Sequence, residues 1–320
     1  MRRLTLALLA LLGLAGCASD PGARHADGTC PLIRLAQLPL EARGNMLFTE
    51  ARIDGKPVTL LVDTGAERTL LTEAAVERLH LARDLQHATR TYGIGSPTAT
   101  WDAKLPNGMV LGGARIPVER VTVGRFGISE VAGNLVDGLL GADILLAFDI
   151  DLDLPAQEMT LYLPRSQCPD APPPWEQAYV AVNGISTRQH RLLLPFELNG
   201  VSGTAVLDTG AQISSISRQM AERIGLLDAD LADDRTVMAH GAAPDQVPVR
   251  IHRFSDFRVG PTETHAPTLP VVPMSSGMGD ALVGGDFLRG RRVWLSFSTR
   301  RVLVTPVQHG PWIAATRTDE

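Results

Sequence analysis

Two aspartates carry the chemistry that this sequence offers. Asp63 stands in Leu61-Val62-Asp63-Thr64-Gly65-Ala66 and Asp208 in Val206-Leu207-Asp208-Thr209-Gly210-Ala211. Each follows an apolar run, where a carboxylate withdrawn from water must be paired, hydrogen-bonded or protonated. Two such carboxyls brought to about 3 Å cannot both ionise, so they would share one proton over a span of pH and leave a base facing an acid. A water held between them could be deprotonated by the base as it attacks a peptide carbonyl, while the acid protonates the carbonyl oxygen. No cofactor, metal or covalent intermediate is needed. Competing chemistries lack their residues: there is no His-Glu-x-x-His, no zinc-spaced cysteine set, no Gly-x-Ser-x-Gly and no phosphate loop.

The elements that must position these aspartates also occur twice. Arg52 to Leu81 aligns without gaps on Glu197 to Leu226, with Gly55/Gly200, Thr59/Thr204, Glu77/Glu222, Arg78/Arg223 and Leu81/Leu226 identical beside the Asp-Thr-Gly-Ala. Asp54-Gly55 and Asn199-Gly200, each between apolar runs, predict that both aspartates end the second arm of a hairpin. Segments Thr72–Leu79 and Ser217–Ile224 have an N-cap residue and apolar positions three or four apart, and Gly225 suits a helix end, so one short helix per repeat is expected. Everything else reads as short strands and turns. A second repeated block, Asp137-Gly138-Leu139-Leu140-Gly141-Ala142-Asp143 against Asp280-Ala281-Leu282-Val283-Gly284-Gly285-Asp286, completes two homologous lobes.

With these residues the chain resembles the retropepsin-like aspartic proteases: apolar-apolar-Asp-Thr-Gly-Ala, then an apolar-apolar-Gly about 75 residues later, in each half. The resemblance covers roughly residues 45–165 and 178–306. It implies a mostly β, bilobal acid-protease fold with both lobes in one chain, active as a monomer, and an aspartic endopeptidase that takes an extended polypeptide. It implies Asp63 and Asp208 as the catalytic pair, with Gly65 and Gly210 admitting backbone N–H groups close to the carboxylates. Thr64 and Thr209 would bond across the lobe interface, and Gly141 and Gly284 would let a strand pass beneath the catalytic loop. By position, Tyr92-Gly93-Ile94-Gly95 and His240-Gly241 correspond to flap tips, although a Gly-rich tip between strands is equally a loose turn. Two departures stand out. Ala142 and Gly285 occupy the place of an Arg in retroviral lobes, and Glu67 and Gln212 differ in charge, so the cleft is expected to be asymmetric. A non-catalytic peptide-binding module of the envelope on the same fold is the alternative, and it has no need for two facing carboxyls.

The chain has 320 residues, 44% of them apolar, and a formal charge of −5. That length suffices for two lobes with their own cores, and mixed charge without a basic stretch argues against nucleic acid as a partner. Met1-Arg2-Arg3 and the apolar run Leu4–Leu14 have the layout of a secretory signal, too short to span a bilayer. Leu14-Ala15-Gly16-Cys17 resembles the bacterial lipobox, which implies cleavage after residue 16, a lipid on Cys17, and an outer-membrane anchor facing the periplasm; an ordinary signal with an incidental cysteine is the plainer reading. Residues 17–31 then form a tether, 32–165 lobe 1, 166–177 a proline-rich linker, 178–306 lobe 2 and 307–320 a tail. Cys30 and Cys168 remain, flanking lobe 1. In an oxidising compartment they would form a disulfide, and otherwise two free thiols.

Overall fold

Asp54-Gly55 and Asn199-Gly200 turn with positive φ at both residues, 49° and 77° in the first, 48° and 78° in the second. That backbone matches the right-handed twist of flanking strands. It joins Met46–Ile53 to Lys56–Val62 and Leu192–Leu198 to Val201–Leu207 as hairpins. The computed structural model describes residues 30–91, 98–124, 130–131, 134–165, 167–168, 170–241, 246–274 and 277–307. Among them no helix is long and apolar enough to cross a membrane.

Each hairpin belongs to a 10-stranded sheet, and the two sheets have the same strand order. In lobe 1 it runs Arg83–Thr91, Thr98–Lys104, Arg120–Gly124, Leu70–Thr72, Gly138–Leu140, Lys56–Val62, Met46–Ile53, Met109–Leu111, Ala114–Ile116, with Glu41–Arg43 beside Met46–Ile53. In lobe 2 it runs Arg235–His240, Gln246–Arg253, Thr268–Val272, Ser215–Ser217, Ala281–Val283, Val201–Leu207, Leu192–Leu198, Asp256–Val259, Thr262–His265, with Ile185–Ser186 beside Leu192–Leu198. The position of one strand matters most for chemistry. Gly138–Leu140 is parallel to Lys56–Val62 and antiparallel to Leu70–Thr72, and Ala281–Val283 sits likewise in lobe 2. The chain leaving Val62 therefore cannot fold directly back onto its neighbour. It must arch over the end of the inserted strand, and Asp63 stands on that arch.

A third sheet joins the lobes. Its order is Arg34–Pro39, Glu158–Tyr162, Asp149–Asp153, Arg292–Ser296, Arg301–Val304, Val180–Asn183, three strands from each half. The central pair is antiparallel, Ile150 opposite Leu295 and Asp151 opposite Trp294. Arg292 reaches across it to hold Asp151 with two bonds, of 2.9 and 2.7 Å. The proline-rich linker lies against this sheet, with Trp175 donating to Asp151 at 3.0 Å. One hydrophobic core runs without a break through both lobes and the shared sheet, from Leu38 and Val62 to Leu207 and Val304.

Thr72 and Ser217 cap the helices Glu73–Leu79 and Arg218–Arg223 by accepting from Ala75 N and Met220 N. Gly225 takes φ +88 just past the second helix. Each lobe also has a second helix absent from the sequence reading, Ala142–Leu145 and Gly285–Leu288. Four residues are too few to show a helical period, and the N-caps Gly141 and Gly284 offer no side-chain cap to read. Cys30 and Cys168 are joined as a disulfide with Cα atoms 6.4 Å apart.

Candidate active site

The two arches meet at the lobe interface. Asp63 N donates to Leu140 O and Asp208 N to Val283 O, both at 3.0 Å, so each aspartate is held by the strand its arch crosses. Beyond that point the backbone N–H groups are free of the ladder, and the carboxylates take them. Asp63 Oδ1 accepts from Gly65 N at 3.0 Å and Ala66 N at 2.8 Å; Asp208 Oδ1 accepts from Gly210 N at 2.9 Å and Ala211 N at 3.2 Å. The glycines face the opposite lobe. A Cβ on Gly65 would lie 2.6 Å from both Asp208 carboxylate oxygens, and one on Gly210 would lie 2.7 Å from Asp63 Oδ1. Each glycine is thus the floor for the other lobe's carboxyl, which only a residue without a side chain can provide.

The threonines interlock. Thr64 Oγ1 donates to Leu207 O at 2.7 Å and accepts from Thr209 N at 3.2 Å; Thr209 Oγ1 donates to Val62 O at 2.6 Å and accepts from Thr64 N at 3.0 Å. Both hydroxyls are buried and use donor and acceptor across the interface. Their bonds fix the separation of the strands that end in the two aspartates.

Two further pairs of polar side chains hold the arches, and the sequence reading assigned them no role. Asp143 Oδ1 accepts from Thr69 N and Thr69 Oγ1, and Asp286 Oδ1 from Ser214 N and Ser214 Oγ. Thr69 and Ser214 in turn accept from Gly141 N and Gly284 N, each at 3.0 Å. Asp137 and Asp280 accept from Thr59 N and Thr204 N at 2.9 Å and pair with Arg78 and Arg223 at 2.7 and 2.6 Å. The signal was present, since all these acids recur in both repeats, but a repeated residue does not name its partner. A side chain on Gly285 would meet the backbone carbonyl of Asn45 in lobe 1, so the Arg of retroviral lobes has no room there.

Burial raises the Asp63 carboxyl well above the usual aspartate range, and the charge of Asp208 beside it pushes the same way. Burial also raises Asp208, opposed by the N–H donors of Gly210 and Ala211, a hydrogen bond with Asp63 and the charge of Arg191. The pair therefore holds a proton where separate aspartates would have lost it, and its apparent pKa values belong to the pair. Among the described residues no cluster of His, Cys, Asp and Glu could hold a metal ion.

Other expected site residues fall elsewhere. His240 ends the strand Arg235–His240 and Gly241 follows it, at the head of the hairpin with Gln246–Arg253; the equivalent hairpin in lobe 1 is Arg83–Thr91 with Thr98–Lys104. Tyr92, Gly93, Gly95 and Cys17 lie outside the described residues.

Two curated proteins are similar over part of the chain. DNA damage-inducible protein 1 of Yarrowia lipolytica (strain CLIB 122 / E 150) is 28% identical over 123 residues, 37% of this chain and 28% of that protein. Protein DDI1 homolog 2 of Xenopus laevis is 27% identical over 138 residues, 39% of this chain and 32% of that protein. The chain spans less than a third of the length of either. The Aspartyl protease family matches at residues 49–144 and again at 194–287, one match to each lobe and each containing one Asp-Thr-Gly arch. With both matches together covering more than half of its residues, the chain belongs to the retropepsin-like aspartyl protease family.

Proposed function

We propose that the protein is an aspartic endopeptidase in which Asp63 and Asp208 act as one proton-sharing pair on an extended polypeptide. The observation that carries this is reciprocal placement: each carboxyl rests on the other lobe's glycine, with the threonines locked between them. A water bound by the pair gives a proton to the ionised carboxylate as its oxygen bonds to the peptide carbonyl carbon. The carbonyl oxygen takes the proton of the other carboxyl. On collapse, the first carboxyl returns its proton to the departing amine as the C–N bond breaks, and the diol returns a proton to the second. The free enzyme is regenerated with one proton on the pair. Both lobes come from one chain, so a monomer suffices, and the hairpins Arg83–Thr91 with Thr98–Lys104 and Arg235–His240 with Gln246–Arg253 would carry the flaps.

The test is cleavage of a mixed peptide library between pH 4 and 8 by the chain from Ala18 onward, beside Asp63→Asn and Asp208→Asn. Cutting that both variants abolish supports the shared dyad. A folded wild type that binds peptides and cuts nothing the variants spare would make it a binding module instead.

We further propose that Cys17 carries the lipid and that the lobes face the periplasm from the outer membrane. The lipobox-like Leu14-Ala15-Gly16-Cys17 supports this. Mass spectrometry of the mature protein should find an acylated Cys17 as its first residue, and an unmodified or later start would refute it.

A further inference from the structure

Arg191 lies at the dyad and has no counterpart in the other lobe. It immediately precedes the strand Leu192–Leu198, and the hairpin register that puts Phe48 opposite Leu61 and Leu193 opposite Val206 makes Met46 its equivalent in lobe 1. Met46 is a buried member of an apolar cluster with Phe48, Leu61 and Leu139. Arg191 is also buried, at 9% exposed, and carries a charge. Its Nε donates to Gly65 O at 2.8 Å, across the lobe interface. Gly65 is the residue on which the Asp208 carboxyl rests. A turn holds the arginine in place: Arg191 N donates to Thr187 Oγ1 at 3.2 Å and Thr187 N to Arg191 O at 3.0 Å. Among the described residues no carboxylate forms an ion pair with it.

We propose that Arg191 is the positioning residue that breaks the symmetry of the dyad, keeping the negative charge on Asp208 and the shared proton on Asp63. It rests on the two aspartates acting as a proton-sharing pair. A buried guanidinium without a carboxylate of its own stabilises the nearest available anion. Through Gly65 it is fixed to the Asp208 side, whereas Asp63 rests on Gly210, whose side of the interface has Met46 in the equivalent place. The other charged groups nearby do not offset this. Glu67 and Arg68 are exposed, Arg68 turning to Thr122 and Asp102, while Asp143 and Asp286 are engaged by Thr69 and Ser214. The charge of Arg191 opposes the rise at Asp208, in agreement with the geometry. In the proposed reaction Asp208 is then the base that takes the water proton and Asp63 the acid that protonates the carbonyl oxygen.

The test reads the proton without requiring cleavage. Aspartate carboxyl carbons are labelled with 13C, Asp63 and Asp208 are assigned with the Asn variants, and both are titrated by NMR in wild type, Arg191→Met, Arg191→Gln and Arg191→Lys. Methionine is what the fold already accommodates at the equivalent position of lobe 1. In wild type, between the two steps of the pair, the Asp208 carbon should show the ionised shift and the Asp63 carbon the protonated one. Both steps should rise by about one pH unit in Arg191→Met and Arg191→Gln and return in Arg191→Lys. A peptide assay run alongside should move both limbs of its pH profile in the same direction. Steps that stay in place in the uncharged variants, or a proton found on Asp208, would overturn the role of Arg191. A wild type that titrates as described and cuts no peptide would refute the peptidase reading and leave this one standing.

Discussion

The two lobes have the same strand order, the same turn chemistry and the same ligands for their aspartates, yet they are not interchangeable at the place where they meet. Lobe 1 presents Asn45, whose Nδ2 donates to Gln212 O at 3.0 Å, beside the apolar Met46. Lobe 2 presents Arg191 from a longer turn, bonded to Gly65 O. Lobe 1 alone is stapled at its ends, by Cys30–Cys168. What repeats is the support that any pair of facing carboxyls needs, namely backbone donors, a glycine floor and a threonine lock. What differs is charge and covalent restraint, which need to be present on one side only.

The sharpest way to break the comparison is to remove one carboxyl at a time. Asp63→Asn and Asp208→Asn should each lower kcat/KM for a cleaved peptide at least about 1,000-fold, because a pair that shares a proton loses both roles with either member. An appreciable activity left in one variant would mean that the lobes contribute unequally to the chemistry. The staple comes next. Replacing Cys30 and Cys168 together by Ser should lower the unfolding free energy by about 5 kcal/mol on the loop-closure account, read from a denaturant series against wild type with and without reductant. Reduction should have no effect on the double variant. Thr64→Val and Thr209→Val test the symmetric part: each removes a buried hydroxyl that makes two bonds across the interface, for about 3 kcal/mol apiece. Costs that differ widely between the two would show that the lock is carried by one lobe.

The smallest effect is a slope. Burial and the Asp208 charge raise the folded pKa of Asp63 above its unfolded value, so the native state retains a proton that the unfolded chain has released. Stability from this group is fully present below the ordinary aspartate pKa of 3.8 and is lost as pH rises through the folded value. Asp63→Asn should flatten that decline, by no more than about 1.4 kcal/mol per pH unit, in thermal midpoints measured from pH 3 upward. An identical pH series for variant and wild type would contradict the raised carboxyl.

Much of this is legible in the sequence, for reasons that are local or repeated. Asp54-Gly55 and Asn199-Gly200 specify their turns through the backbone angles those residues tolerate, and Thr72 and Ser217 cap helices within reach of their own side chains. The duplicated Asp-Thr-Gly-Ala marked the site because a carboxylate at the end of an apolar strand needs an unusual partner. Asp143, Asp286, Asp137 and Asp280 were visible as repeats, but the threonine and serine donors that hold them lie more than 70 residues away. The shared sheet was not legible at all. Asp149–Asp153 and Arg292–Ser296 each read as an ordinary strand, and nothing local distinguishes a strand that pairs within its lobe from one that pairs with the other.

The sequence by itself determined that there are two lobes, that each ends a hairpin in an aspartate, and that glycine and threonine flank it, because repeats, turns and caps act over a few residues. Only the tertiary structure decided that each glycine floors the opposite carboxyl, that Thr64 and Thr209 exchange bonds, and that Arg191 reaches Gly65. These contacts join residues 126 to 147 positions apart. They exist because the inserted strands force both arches outward to one interface, where the residue that an aspartate faces is set by the packing of the lobes and not by its neighbours in the chain.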